Sequence, residues 1–220
     1  EYESIFPKEN QINLIVPNAT TKFTLRNDIM FNRIARECSE IVNNVPGNSI
    51  IFFPSYEILN KIYNEFGTLC NKKMFIEESS FSKSEKEEII QKFKDNYEKG
   101  SVLLGVSAAS FGEGIDLIGD LLKCVIIVGL PLAKLDLETK ELIKYYDKKY
   151  GKGWDYAYIY PAIIKAMQNA GRCIRSENDK GVIVFLDERY SWPKYKNCFP
   201  KDKNFITTKL PLTIIKEFFR

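Results

Sequence analysis

Four short stretches of this chain are almost wholly apolar: "NSIIFF" (48–53), "SVLLGVS" (101–107), "KCVIIVGLP" (123–131) and "GVIVFLD" (181–187). A strand with one face in water alternates apolar and polar residues. A strand without that alternation must be covered on both faces, and that is the condition of strands in parallel sheets. "INLIV" (12–16) and "KMFIE" (73–77) read as two further strands. Between them lie segments with helical periodicity. Met30, Ile34 and Ile41 recur within 28–45, where Asn27 or Asp28 can cap, and Ile58, Leu59, Ile62 and Phe66 follow Ser55. Ile89, Ile90, Phe93 and Tyr97 follow a capping box expected at Ser84 and Glu87. Helices are also expected at about 136–149, 154–170 and 211–219, the last opening on Pro211. Alternating strands and helices with short connections imply an α/β domain: an open parallel sheet with helices on both faces. Ligands of such sheets gather beyond the carboxyl ends of the strands, here after Phe53, Val106, Val128 and Leu186.

Composition removes several chemistries. The 220 residues include no histidine, which excludes a Ser-His-Asp triad and histidine-ligated metal. The five cysteines are far apart, as expected of reduced thiols in an intracellular protein. No apolar run reaches the ~18 residues of a membrane span. Net charge is +3, which permits a nucleic-acid partner without requiring one. The phosphate-binding pattern G-x-x-x-x-G-K-[ST] does not occur, so Asp187-Glu188 at a strand end is not expected to hold magnesium.

Several segments carry chemistry nonetheless. In "VSAASFGEGIDLIGD" (106–120), Gly112 and Gly114 bracket Glu113, and Asp116 follows. An acid so placed can meet a ribose hydroxyl, a metal-bound water or an arginine. In "QNAGRCIR" (168–175), Gly171 is expected to end a helix, with Gln168 before it and Arg172 and Arg175 after it. Two guanidinium forks beside a glutamine suit a γ-phosphate and its attacking water. The alternative is an internal ion pair with Glu113, Asp116 or Asp179. In "FFPSYE" (52–57), Phe53 and Tyr56 could stack on bases and Ser55 could bond a phosphate, unless it serves as a helix cap. Trp154 with Tyr158 offers a further stacking face, or merely docks its helix. "RYSWPKYKNCFPKDK" (189–203) reads as an aromatic-anchored surface segment or a nucleic-acid rim.

The order of these segments resembles motifs IV (about 49–57), V (about 103–120) and VI (about 168–189) of superfamily 2 helicases of the XPD/Rad3 type, with the related DinG group. The resemblance implies that residues 1–220 form a second RecA-like motor domain, itself without a P-loop. The first motor domain, with the P-loop, the magnesium-binding acids and a 4Fe-4S cluster, would lie elsewhere. ATP and Mg2+ would be shared across a cleft. By this resemblance Arg175 is the arginine finger, with Arg172 and Gln168 beside it. Gly114, Asp116, Glu113 and Gly171 would be near the nucleotide, and Asp187 and Arg189 would support the end of motif VI. Ser55, Tyr56, Phe53, Ser107 and Trp154 would line the single-stranded DNA track. The activity implied is a 5′–3′ DNA helicase in DNA repair, with repair or transcription factors as further partners. The alternative is a non-catalytic nucleic-acid-binding or protein-docking module.

Overall fold

The computed structural model describes residues 7–109 and 121–220. Its strands are β1 (Gln11–Val16), β2 (Ser49–Phe53), β3 (Lys73–Ile76), β4 (Ser101–Val106), β5 (Cys124–Val128), β6 (Gly181–Leu186) and β7 (Phe205–Thr207). They form one sheet in the order β3-β4-β2-β5-β6-β1-β7, and every described pair is parallel. The helices are α1 (Asp28–Asn43), α2 (Tyr56–Leu69), α3 (Lys83–Asp95), α4 (Leu137–Tyr150), α5 (Tyr160–Ala170), α6 (Pro193–Lys196) and α7 (Pro211–Phe218).

Strand periodicity sorts side chains into two cores. Leu14, Ile51, Phe53, Leu104, Ile126 and Val184 face α1, α2 and α7. Their neighbours Ile15, Ile50, Phe52, Leu103, Ile127 and Phe185 face α3 and α5. Because both faces are covered, both sets of side chains are apolar, and the runs lose the usual alternation. Asn48, fully buried, joins three elements at the amino end of this core. Its Oδ1 accepts from the Ser101 amide and hydroxyl, both at 2.8 Å, and its Nδ2 donates to the Phe93 carbonyl at 2.8 Å.

Two expectations about helices change. The capping box is Ser82 with Glu85, not Ser84 with Glu87. The S-x-x-E spacing occurs twice in "SKSEKEE", and the earlier start leaves Glu87 free to pair with Lys83 at 3.9 Å. The segment 154–170 is not one α-helix. Pro161 lacks an N–H and its ring crowds the preceding turn. The chain widens there into a π-helical turn, Asp155–Ile159, with the Tyr160 amide bonding the Asp155 carbonyl. Helix α4 buries only Thr139 and packs on that turn instead of lying flat on the sheet. The short edge strand β7, three residues long, is not evident in the sequence.

Three thiols, Cys38, Cys124 and Cys173, are buried, whereas Cys70 and Cys198 are half-buried. Burial raises Cys38 and Cys173 well above the usual thiol range, and raises Cys124 to about 12 against the opposing charge of Lys72. Unfolded thiols ionise near pH ~8.5. Stability from these groups is therefore present below pH ~8.5. Above it, each is expected to lose about 1.4 kcal/mol per pH unit until its folded-state pKa is reached. Alkaline urea titrations should show this decline, and a maleimide should label Cys70 and Cys198 in the folded chain but the other three only on unfolding.

Candidate functional site

The motif VI residues arise from the end of α5. Gln168 is exposed and lies in the last turn of the helix. Gly171 closes the helix with φ −63°, a right-handed conformation open to any residue. The expected conformational reason for a glycine there does not hold. Its place is exposed, so the missing side chain leaves the helix end open to close approach.

The two arginines separate. Arg175 is exposed, whereas Arg172 is only 7% exposed and is engaged within the chain. They do not form an equivalent pair facing solvent; Arg175 alone of the two presents itself to an anion arriving from outside. Asp179 is 2% exposed. Its Oδ2 accepts from the backbone amides of Arg175 at 2.7 Å and Ser176 at 2.9 Å, and its Oδ1 accepts from the Ser176 hydroxyl at 2.7 Å. One buried carboxylate thus fixes the backbone from which Arg175 projects.

This loop does not lie among those after Phe53, Val106, Val128 and Leu186, where function was expected. It precedes β6 and closes on the amino ends of the central strands. The Asn10 side chain donates to the Glu177 carbonyl at 2.9 Å, and the Cys173 thiol approaches the Val182 carbonyl at 3.7 Å. Buried Asn169 connects the helix end to motif V, donating to the Ser107 carbonyl at 3.3 Å. Glu113, Gly114 and Asp116 lie outside the described residues.

At the carboxyl ends, Asp187 is fully buried and forms a two-pronged pair with Arg189, at 2.8 Å from Nε to Oδ1 and 2.8 Å from Nη2 to Oδ2. The Thr21 amide donates to the same carboxylate at 2.7 Å, and the Thr20 hydroxyl donates at 3.3 Å. Burial alone would lower the Arg189 pKa. The hydrogen bonds and charge of Asp187 outweigh it, and the pKa lies above the ordinary arginine value. Tyr190, also fully buried, donates to the Gly129 carbonyl at 2.7 Å. Gly129 has φ +66°, and a side chain there would collide with Thr21. Asp187 is therefore a structural anchor joining the loop after β1 to the end of β6. No cluster able to hold a metal ion occurs among the described residues.

The residues assigned to a DNA track also divide. Phe53 is 1% exposed and packs in the core under α1 and α2, so its ring cannot stack on a base. Ser107 is fully buried at the end of β4, with its amide on the Phe53 carbonyl, so its hydroxyl does not line a surface. The Ser55 hydroxyl caps α2, accepting from the Ile58 amide at 3.3 Å, and its own proton remains available. Tyr56 is half-buried beside it. Trp154 is 42% exposed, with its ring centroid 4.6 Å from that of Tyr158. In the segment 189–203, Tyr190 and Phe199 are core residues, whereas Trp192 is exposed. Asn48, Glu77, Asn169, Thr20 and Thr21 were not singled out from the sequence. Their polar chemistry resembles that of any surface residue until burial is known.

Parallel strands in this order, with motif segments at their ends, define a RecA-like helicase motor domain. A solved apo XPD structure superposes with a TM-score of 0.72 at 26% identity, covering 90% of this chain and 40% of that one. The C-terminal domain of the DEAD-box protein Dbp5 shares the fold, with a TM-score of 0.59 at 15% identity over 96% of this chain and 98% of that one. Residues 38–204 match the helicase C-terminal domain family, and the chain belongs to it. The general transcription and DNA repair factor IIH helicase subunit XPD of Dictyostelium discoideum is 30% identical over 91% of this chain and 28% of its own length. The ATP-dependent DNA helicase XPD of Sulfolobus acidocaldarius is 29% identical over 84% of this chain and 33% of its own length. The 3′-5′ exonuclease DinG of Staphylococcus epidermidis is 29% identical over 90% of this chain and 21% of its own length. The chain thus spans between a fifth and a third of these curated relatives.

Two substitutions check this geometry. Asp187→Ala should cost about 3–5 kcal/mol in urea unfolding, because it leaves the Arg189 charge buried without its partner. Asp179→Ala should cost less, about 1–3 kcal/mol. Its distinguishing effect should be faster hydrogen exchange at the Arg175 and Ser176 amides, with β6 amides unchanged.

Proposed function

We propose that this chain is the carboxyl-terminal motor half of an ATP-dependent 5′–3′ DNA helicase of the XPD/Rad3 type, acting in DNA repair. The observation that carries this reading is Arg175, a solvent-facing arginine on a loop held rigid by Asp179, with exposed Gln168 nearby in sequence. A fixed guanidinium is suited to a phosphoryl group that arrives already bound to another domain. The residues present fit that part of ATP. Mg2+ would be held chiefly by acids of the partnering motor domain, and a 4Fe-4S cluster would belong there too. ATP supplies the transferable phosphoryl group. Arg175 neutralises charge on it, Gln168 orients water, and Arg172, packed beneath, shapes the loop. Glu113, Gly114 and Asp116 are assigned to the nucleotide on the motif resemblance.

Binding ATP would draw the two domains together, since both offer it favourable contacts. Loss of the γ-phosphate would release them. A single strand lying over Ser55, Tyr56 and Trp154 would advance as the two grips alternate. Names of the relatives, which include a transcription and DNA repair factor subunit, support repair or transcription factors as further partners.

The exposed aromatic face of Tyr145, Tyr150, Trp154 and Tyr156 favours a second reading, in which the domain also serves as a docking module. In the full-length protein, Arg175→Ala should lower single-strand-stimulated ATP turnover by roughly 10³-fold or more while ATP binding persists. Near-normal turnover would reject the arginine-finger assignment. Tight single-strand binding by the unmutated protein without any ATPase would favour the module. Unwinding of 5′-tailed but not 3′-tailed duplexes checks the polarity.

A further inference from the structure

Helix α4 and the turn after it carry an exposed aromatic face that the ATP cycle described above does not use. The helix buries only Thr139, so most of its surface is open. Tyr145, Tyr150 and Tyr156 are each at least 42% exposed. Their rings gather around half-buried Tyr146, whose centroid lies 5.3 Å from that of Tyr145, 6.1 Å from Tyr150 and 5.9 Å from Tyr156. The Tyr150 and Tyr156 rings are 5.3 Å apart. The turn that returns Tyr156 onto α4 is fixed. Gly151 ends the helix with φ +65°. A side chain at Gly153 would collide with the Ile143 carbonyl and with Asp147, and the Gly153 amide donates to Asp147 Oδ1 at 3.3 Å. Trp154 follows directly, so the strand contact assigned to it adjoins this face.

Charge is interleaved with the rings. Lys149 Nζ lies 5.6 Å from the Tyr145 ring centroid and 5.2 Å from that of Tyr150. Lys148 and Lys152 flank it in the chain. The nearby acids are already engaged. Glu141 pairs with Lys144 at 2.7 Å, Asp155 pairs with Lys194 at 2.9 Å, and Asp147 accepts the Gly153 amide. Glu138 sits in the first turn, at the far end of the helix. Among the described residues, Lys148, Lys149 and Lys152 form no ion pair.

Exposed rings and unpaired ammonium groups on one face match a ligand that carries a ring and a negative charge at every repeat. Single-stranded nucleic acid has both, since each base presents a π face and each phosphate one charge. Stacking tolerates any base, as a strand moving through a motor requires. An apolar peptide would satisfy the rings and leave the lysines without partners. We infer that single-stranded DNA passing Trp154 continues over Tyr156, Tyr150 and Tyr145, with Lys148, Lys149 and Lys152 at its phosphates. This inference rests on the helicase reading and lengthens the strand contact beyond Ser55, Tyr56 and Trp154.

The test uses the full-length protein with oligo-dT as the single strand. Lysine acetylation is read by mass spectrometry with and without the strand. Lys148, Lys149 and Lys152 should be protected, while Lys83 on α3 keeps its reactivity. Affinity is then measured by fluorescence anisotropy across oligo-dT lengths and salt concentrations. Replacing Tyr145 and Tyr150 together by Ala should weaken binding of the longest strands roughly tenfold, as loss of base stacking allows. The length at which affinity levels off should become shorter. Replacing the same two by Phe keeps both rings and should leave affinity within about twofold. Lys148→Gln, Lys149→Gln and Lys152→Gln combined should reduce the slope of log affinity against log salt by about 2, at roughly 0.7 per phosphate contact. All five side chains are exposed, and the acetylation result needs no variant. Tight oligo-dT binding without protection of the three lysines overturns the inference. So do unchanged affinity and salt slope in the folded variants. Equal protection by poly-glutamate also overturns it, and would assign the face to an acidic protein. Failure of the unmutated protein to bind oligo-dT at all would instead overturn the helicase reading, and this strand path with it.

Discussion

Every described strand of this domain runs in the same direction, with helices on both faces of the sheet. That constraint orders the rest. Each strand must be followed by a crossover before it can be paired, so the chain passes repeatedly over the sheet. The crossovers bring segments distant in sequence together at the strand ends. The register Val128↔Leu186↔Val16 aligns the exits of β5, β6 and β1. There Gly129, Asp187 and the loop at Thr20 and Thr21 meet. With the backbone in this register, a buried Asp187–Arg189 pair can be satisfied, and without it the same two charges would be a liability.

Buried polar side chains mark the joints of this structure. Asn48 joins β2, β4 and α3, Asn169 joins α5 to the end of β4, and Asp179 shapes the Arg175 loop. Glu77, just after β3, joins that strand to the end of β4. In each case a side chain satisfies backbone groups that irregular chain would otherwise leave unpaired in the interior. The backbone of the arginine-bearing segment is consequently fixed from within the domain.

The site was only partly legible in the sequence. The motif segments and their order were visible because each combines unusual residue types, such as "QNAGRCIR" after a helical run. The side chains that face outward were harder to read. Phe53 and Ser107 stand beside plausible contact residues yet are buried, because strand alternation continues to the last residue of β2 and one residue beyond β4. Arg172 and Arg175 differ by three positions, and the turn after α5 tucks one under and leaves the other exposed. Asp179, one of three acids considered as a counter-ion for the arginines, accepts from the backbone amides of Arg175 and Ser176.

The sequence by itself determined the two-faced burial of the strands, their alternation with helices, cap candidates at Asn27 or Asp28 and at Ser55, and the absence of a P-loop and of histidine. Those properties depend on residue types and short spacings, which local physics reads directly. Tertiary structure decided which of two S-x-x-E boxes caps α3, where Pro161 opens a π turn, and that an edge strand forms at Phe205–Thr207. It also decided that the arginine loop closes at the amino ends of the strands, and that Asp187, Asp179 and Glu77 are interior. Burial of a polar group depends on what arrives from elsewhere in the chain, and no short window of residues contains its own partners.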